Sequence, residues 1–145
     1  MALNEKLQQN DGAEKADPKV YRSLADSLMY LTNARLDILH YISLIFRFIK
    51  QPSKLHFVAA KRILRYLQGT KEFGIKYVKE EDSKLVGFTD SDWAESLDDQ
   101  KSTSGYNFCL GSDVISWSSR KQSSVALSSA EAEYIAANEA ARKAI

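Results

Sequence analysis

One cysteine, Cys109, is all that the 145-residue sequence holds. It excludes an internal disulfide and a cysteine-rich zinc site, and it points to an intracellular, reducing compartment, cytoplasm or nucleus. Long apolar runs are missing too. The longest, Ile38 to Ile49, is broken by His40 and Arg47. A membrane span needs about 20 mostly apolar residues, so no membrane segment is expected. Met1 to Lys19 lacks the apolar core of a secretory signal. The two histidines, His40 and His56, have no second His or Cys at metal-ligand spacing, so both read as structural. The serine-rich run 116–129 has no glycine-flanked elbow and no base, and Cys109 lies in a strand pattern without a paired His. Serine or cysteine hydrolase chemistry is therefore not expected.

Net charge is also nearly missing, at +1, but that balance hides a split. Residues 1–79 hold 14 Lys and Arg against 7 Asp and Glu, whereas residues 80–145 hold 6 against 12. The first part is thus +7 and the second −6. A basic part suits a polyanion such as nucleic acid, and an acidic part suits metal ions. The same split would also steady packing between two halves. The length allows one full domain or two small ones, and the apolar and charged fractions, 44% and 27%, are those of a folded chain rather than a disordered one.

Taken in order, residues 1–18 carry little apolar periodicity and read as a flexible tail. Tyr21, Leu24, Leu28 and Leu31 then recur at helical spacing, with Asp17 as cap and Pro18 at the first position. A second helix is predicted from about Asp37 to Lys50, on a stripe of Ile38, Ile42, Ile45 and Ile49, and Pro52 stops it. Ser53 caps a third helix to about Gln68, with Phe57, Ala60, Ile63, Leu64 and Leu67 on its apolar face and Gly69 as a left-handed terminator. Lys54, Lys61, Arg62 and Arg65 lie on this helix. Lys61 and Arg65 share a face and Arg62 borders it. No acidic residue lies between Ile38 and Lys71, which favours phosphate contact over an ordinary solvated face. Phe73 to Val78 reads as a strand, and the change of charge sign puts a boundary near Glu80.

The stretch Leu85 to Trp93 reads as a buried strand that ends in acid. Asp90 and Asp92 would share one face if the strand ran through both. Two such carboxylates make half of a divalent-metal site; Asp-Ser-Asp is equally ordinary turn chemistry. Strands from Gly105 to Leu110 and from Val114 to Ser119 follow, joined by a Gly111-Ser112-Asp113 turn. The last element is a helix entered through the Ser128–Glu131 capping box. Tyr134, Ala137, Ala141 and Ile145 are its expected buried stripe, with Glu133 at the border and able to face the strand of Asp90. The expected class is α+β: about three helices, then a three-stranded antiparallel sheet with one C-terminal helix.

Several words in the chain carry a resemblance: Tyr21-Arg22-Ser23-Leu24, Ser27-Leu28-Met29-Tyr30-Leu31, Ala59-Ala60-Lys61-Arg62-Ile63-Leu64-Arg65-Tyr66-Leu67, Phe88-Thr89-Asp90-Ser91-Asp92-Trp93-Ala94, Ser102-Thr103-Ser104-Gly105-Tyr106 and Ser129-Ala130-Glu131-Ala132-Glu133-Tyr134-Ile135-Ala136-Ala137. In this order they resemble the C-terminal part of a copia-type LTR-retrotransposon Pol polyprotein. The resemblance implies that residues 19–79 are similar to the thumb and connection region that ends a reverse transcriptase. It likewise implies that residues 80–145 are similar to the start of an RNase H-like domain. That family hydrolyses the RNA strand of an RNA–DNA hybrid with two Mg2+ ions held by Asp and Glu, which fits hard carboxylate oxygens.

Carried over by motif, Asp90 matches the first-strand catalytic and metal-binding Asp and Glu133 the helical Glu. Asp92 and Glu131 are not expected to be ligands. The resemblance also implies a further Asp on a later strand and another metal-facing residue, both beyond Ile145, and polymerase aspartates upstream of Met1. Asp26 stands where the family has Gly, Leu36 where it has Pro, and Glu95 where it has Gly. The expectation is therefore a truncated copy without polymerase activity and with little or no nuclease activity alone. Its partners would be an RNA–DNA hybrid or other nucleic acid, or the remainder of a Pol polyprotein. Two alternatives stand beside it: a non-catalytic nucleic-acid-binding remnant, and an inert, unstable product with an exposed sheet edge.

Overall fold

The computed structural model describes residues 6–79 and 84–145. They form two units, Met1–Gly74 and Ile75–Ile145.

The first unit is helical. Helix α1 spans Pro18–Leu31; Asp17 caps it by accepting from the Lys19 and Val20 backbone N–H groups, and Pro18 stands where no N–H is needed. A 3-10 turn, Leu36–Ile38, leads into α2, Leu39–Phe46. Helix α3 runs Lys54–Gly69 from the Ser53 cap. Tyr21, Ala25, Leu28, Ile38, Ile42, Ile45, Ala59, Ala60 and Ile63 make the core. Each fully buried isoleucine adds on the order of 1.5–3 kcal/mol. The Tyr21 hydroxyl, deep in that core, donates to the Ile45 carbonyl at 2.8 Å. Burial without a charged partner pushes its phenol far above the ordinary tyrosine range.

Three details differ from the sequence expectation. Helix α2 ends at Phe46, four residues early, and Phe48 instead stacks on His56 with centroids 3.9 Å apart. Gly69 is the last helical residue rather than a left-handed terminator; Thr70 is the C-cap. Its carbonyl is taken by Arg35 Nη1 at 2.9 Å, so a guanidinium supplies what the glycine was expected to supply. Leu64, placed on the apolar face, is 42% exposed, and buried His56 takes the inward place.

The second unit is an antiparallel sheet with one helix. Strands β1 (Leu85–Ser91), β2 (Thr103–Leu110) and β3 (Asp113–Lys121) lie in the order β1-β2-β3. Helix α4, Ser129–Ala144, packs on β1 and β2. The architecture is therefore α+β, three helices followed by an open three-stranded antiparallel sheet and a C-terminal helix. A register shift at Phe108/Cys109 places a bulge opposite β3. Phe73 to Val78 forms no strand; the segment is tied instead by Val78 N to Asp113 Oδ2 at 2.9 Å and by Tyr77 Oη to the Val114 carbonyl.

The buried stripe of α4 is Ala132, Ala136 and Ala140, whereas Tyr134 is 78% exposed. Small side chains let the helix approach the sheet closely, and the larger residues expected inward are left in solvent. Gly87 makes the same accommodation on β1: a Cβ there would stand 2.7 Å from Phe108 Cε1. Strand β1 is exposed through Asp90 rather than buried, with Phe88 56% accessible. Within this unit, α4 covers one face of the sheet.

Candidate functional site

The acid-bearing end of β1 is built by strand phasing. Asp92 N donates to the Thr103 carbonyl at 3.2 Å. Antiparallel pairs alternate between exchanging bonds and pointing outward, so Ser91 N, one residue earlier, points away from β2 across the free edge. Glu133 meets it there: its Oε1 accepts from Ser91 N at 3.3 Å, a long hydrogen bond. Glu133 is in the second turn of α4, beside the alanine stripe, which is why it reaches the strand and Glu131 does not. Glu131 Oε2 accepts from Leu127 N at 2.7 Å while Ser128 Oγ accepts from Glu131 N, both within the capping turn.

Asp90 lies one residue from this contact. Ser91 is opposite Ser104 in the register. Gln122 Nε2 bonds both Ser104 Oγ and the Ala132 carbonyl at 2.9 Å, so Ser91 and Ser104 lie on the helix-covered face. Alternation turns Asp90 to the open face, with Phe88. The two carboxylates therefore border the same free edge from opposite faces. Asp92 does not join Asp90, because β1 ends at Ser91. Its Oδ2 accepts from Thr103 N at 3.0 Å and its Oδ1 from Glu95 N at 3.2 Å, so it clamps the loop after the strand. In that loop Ala94 takes a left-handed φ of 53°, and its N–H is held by Ser102 Oγ at 3.1 Å.

Among the described residues no group of three or more His, Cys, Asp or Glu is placed to hold a metal ion. Asp90 and Glu133 have the hard oxygen chemistry that Mg2+ requires. They do not make the set of carboxylates on one side that a two-ion clamp needs, so no hydrolytic step follows from this geometry.

The basic row of α3 is unevenly available. Lys54 pairs with Glu14 at 2.6 Å, an acid forty residues away that corrects the reading of an unneutralised row. Lys61 Nζ lies 4.9 Å from the Phe57 ring centroid and is exposed, as is Arg65; Arg62 is half-buried. Lys61 and Arg65 present charge to solvent on one face, one turn apart.

Two constellations had no local signal. Residues 9–16, read as part of a flexible tail, dock on the start of α3. Ala16 N donates to the Pro52 carbonyl at 2.9 Å and Lys54 N to the Glu14 carbonyl at 2.8 Å. Ser53 Oγ donates to Asp11 Oδ2. His56 Nδ1 accepts from Ser53 N at 2.9 Å, which leaves the ring proton on Nε2 facing the Gln8 carbonyl at 3.1 Å. The Ser53 hydroxyl, and then the Ala13 N–H and nearby positive charge, hold the Asp11 carboxyl below its ordinary range against the opposing effect of burial. In the other constellation, Arg35 forks onto Asp37 at 2.9 and 2.7 Å and Tyr66 Oη donates to Asp37 Oδ2 at 2.8 Å. The Arg35 hydrogen bonds pull Asp37 below the usual carboxylate range. Asp11 with Ser53, and Asp37 with Tyr66, join residues 42 and 29 apart in sequence, so no spacing rule finds those contacts.

Known relatives share most of this chain. It is 44% identical over 134 residues to the retrovirus-related Pol polyprotein from transposon RE1 of Arabidopsis thaliana, covering 92% of this chain and 9% of that protein. It is 44% identical over 126 residues to the retrovirus-related Pol polyprotein from transposon TNT 1-94 of Nicotiana tabacum, covering 86% of this chain and 9% of that one. The chain belongs to the copia-type retrotransposon Pol polyprotein family. It spans about a tenth of the length of these Pol polyproteins. It is also 41% identical over 126 residues to a protein named secreted RxLR effector protein 161 of Plasmopara viticola, 86% of this chain and 89% of that protein. No family model and no solved structure matches the chain. Of the positions where the resemblance puts a different residue in the Pol family, Asp26 and Glu95 are exposed, so neither charge costs burial.

Proposed function

We propose that the chain is a Pol segment joining the end of a reverse transcriptase to the start of an RNase H-like domain, and that it holds nucleic acid without cutting it. The observation that carries this reading is the contact of Glu133 with Ser91 N across the edge of β1. It sets a helical carboxylate at the strand edge beside the residue that follows Asp90, with the two carboxyl groups on opposite faces. The split of charge between the two parts of the sequence supports it as well. Cleavage is not proposed for the isolated chain, because a two-ion clamp needs more carboxylates on one side than Asp90 and Glu133 provide. Asp90 and Glu133, on opposite faces of β1, would each offer Mg2+ one hard ligand rather than a shared site. A reducing intracellular compartment, cytoplasm or nucleus, suits the single cysteine.

The binding role falls to α3. Lys61, Arg62 and Arg65 are the proposed phosphate contacts; Lys54, already paired, is expected to add less. An RNA–DNA hybrid should bind the purified chain with strong salt dependence. Changing Lys61, Arg62 and Arg65 together to alanine should lower the slope of log affinity against log salt by about two to three, whereas Lys54→Ala should leave it nearly unchanged. In the same assay with Mg2+ the hybrid should stay intact. Robust metal-dependent cleavage, abolished by Asp90→Asn, would overturn the non-cutting reading; a slope unmoved by the triple change would overturn the role of α3.

A further inference from the structure

Strand β1 gives one edge to β2 and leaves the other free. Its backbone phase can be read at both ends. Asp92 N donates to the Thr103 carbonyl, and the Lys84 carbonyl accepts from Gly111 N at 3.0 Å. Even-numbered residues therefore turn their backbone groups to β2, and Leu85, Gly87, Thr89 and Ser91 turn theirs to the free edge. Glu133 occupies the last of these, Ser91 N. Those of Leu85, Gly87 and Thr89 have no partner across that edge among the described residues. Side chains alternate too. Lys84 continues the register opposite Gly111, so Lys84, Val86, Phe88 and Asp90 share the open sheet face, and all four are exposed. The stretch is thus positive at one end, apolar in the middle and negative at the other. Lys84 and Asp90 have no ion pair among the described residues.

We infer that β1 pairs antiparallel with β1 of a second copy of this chain, across a two-fold axis at Gly87. In that register Leu85 and the partner's Thr89 exchange N–H···O bonds, Val86 meets the partner's Phe88, and Lys84 meets the partner's Asp90. The two-fold makes each of these pairs twice. Opposite charges then lie directly across the ladder, and a β-branched side chain lies across from an aromatic one, both favourable cross-strand pairs. Ser91 stays outside the paired stretch, so Glu133 keeps its bond and α4 meets the edge beyond the ladder. Moving the axis to Phe88 would set Val86 against Asp90 and take Ser91 N from Glu133. Parallel pairing in register would set Asp90 beside Asp90, which repels. A two-fold contact closes on itself, so the product is a dimer and not a fibre. The inference is independent of nucleic-acid binding and of the role of α3.

The test uses the full chain. Sedimentation equilibrium should fit a monomer and a dimer. Lys84→Asp alone, or Asp90→Lys alone, sets like charges across the axis and should weaken the dimer about tenfold or more. Lys84→Asp and Asp90→Lys together restore opposite charges and should return the affinity to within about threefold. Disulfide trapping then reads the register, in a Cys109→Ser background because Cys109 lies opposite Val86. Oxidising a mixture of Val86→Cys chains and Phe88→Cys chains should link one of each, whereas Phe88→Cys chains alone should link poorly. The trap does not depend on the charge variants, so a variant that folds badly does not decide the matter. The inference is overturned by a chain that stays monomeric, by association that continues past the dimer, or by a double exchange that fails to restore affinity. Efficient linking of Phe88→Cys to itself would also overturn it, since that places the axis at Phe88. So would linking in neither mixture, which would assign the contact to another surface.

Discussion

At the scale of single residues, the most consequential groups are polar and placed where polarity is costly. Tyr21 is fully buried and satisfies the Ile45 carbonyl near the end of α2. Tyr21→Phe keeps the ring and removes that bond, while the Ile45 carbonyl still accepts from Phe48 N at 3.2 Å, so urea unfolding of the first unit should report a loss of about 0.5–1.5 kcal/mol. Asp11 and Asp37 both have carboxyls held below their ordinary range, through Ser53 and Arg35 respectively. A depressed folded pKa means that the stabilisation is complete above the unfolded value of about 3.9 and disappears as pH falls through the folded values. Thermal melts should therefore hold steady from neutral pH down to about 5 and fall steeply below about 4. The double change Asp11→Asn and Asp37→Asn should start lower and flatten that acid limb. The long-range partners among these were not legible in the sequence. Asp11 and Ser53 are 42 positions apart, and a carboxylate in a polar stretch looks like any solvated one until the chain folds back on it.

At the scale of elements, the sequence was most readable where a cap and a period agree. Asp17-Pro18 and Ser53 gave the starts of α1 and α3, and Ser128 with Glu131 gave that of α4. Which side of a helix faces inward was less readable. The buried alanines of α4 are one or two positions away from the stripe that Tyr134 and Ile145 suggested, because close packing on the sheet selects for small volume rather than for hydrophobicity. Of the candidate site, Asp90 and Glu133 were legible as types and places, but not the phasing that sends them to opposite faces. The loop after β1 stores measurable strain: Ala94 sits at φ 53°, where an L-residue costs about 1–2 kcal/mol. Ala94→Gly should raise the stability of the second unit by up to about 1 kcal/mol, read as a shift in denaturation midpoint with the slope unchanged. A null or negative shift would mean that the Ala94 methyl group contributes more by packing than its conformation costs.

At the scale of the whole molecule, the two units differ in how completely they are closed. The first buries a contiguous core, whereas the second leaves one sheet face and one strand edge open. Phe88, Val86 and Trp93 are 56%, 44% and 57% exposed. An uncovered apolar face beside an unpaired edge invites pairing with a second chain. Light scattering of the purified chain should show association that grows with concentration, and Phe88→Lys with Val86→Lys should suppress it without lowering the melting temperature. Strictly monomeric behaviour at high concentration would remove the exposed-edge argument. The missing cover is also why β1 misled as a sequence: its residues are those of a strand buried on both faces, while within this unit α4 covers one.

The docking of residues 9–16 onto the start of α3 has a practical corollary for anyone making shortened versions of this protein. A variant beginning at Pro18 would keep every helix, yet it would strip the Asp11 carboxylate from Ser53 and the Gln8 carbonyl from the imidazole of His56. A side chain now sealed at 0% exposure would meet water. Trimming what looks like a dispensable stretch would thus unseat the lid over a buried imidazole and loosen the entry to α3.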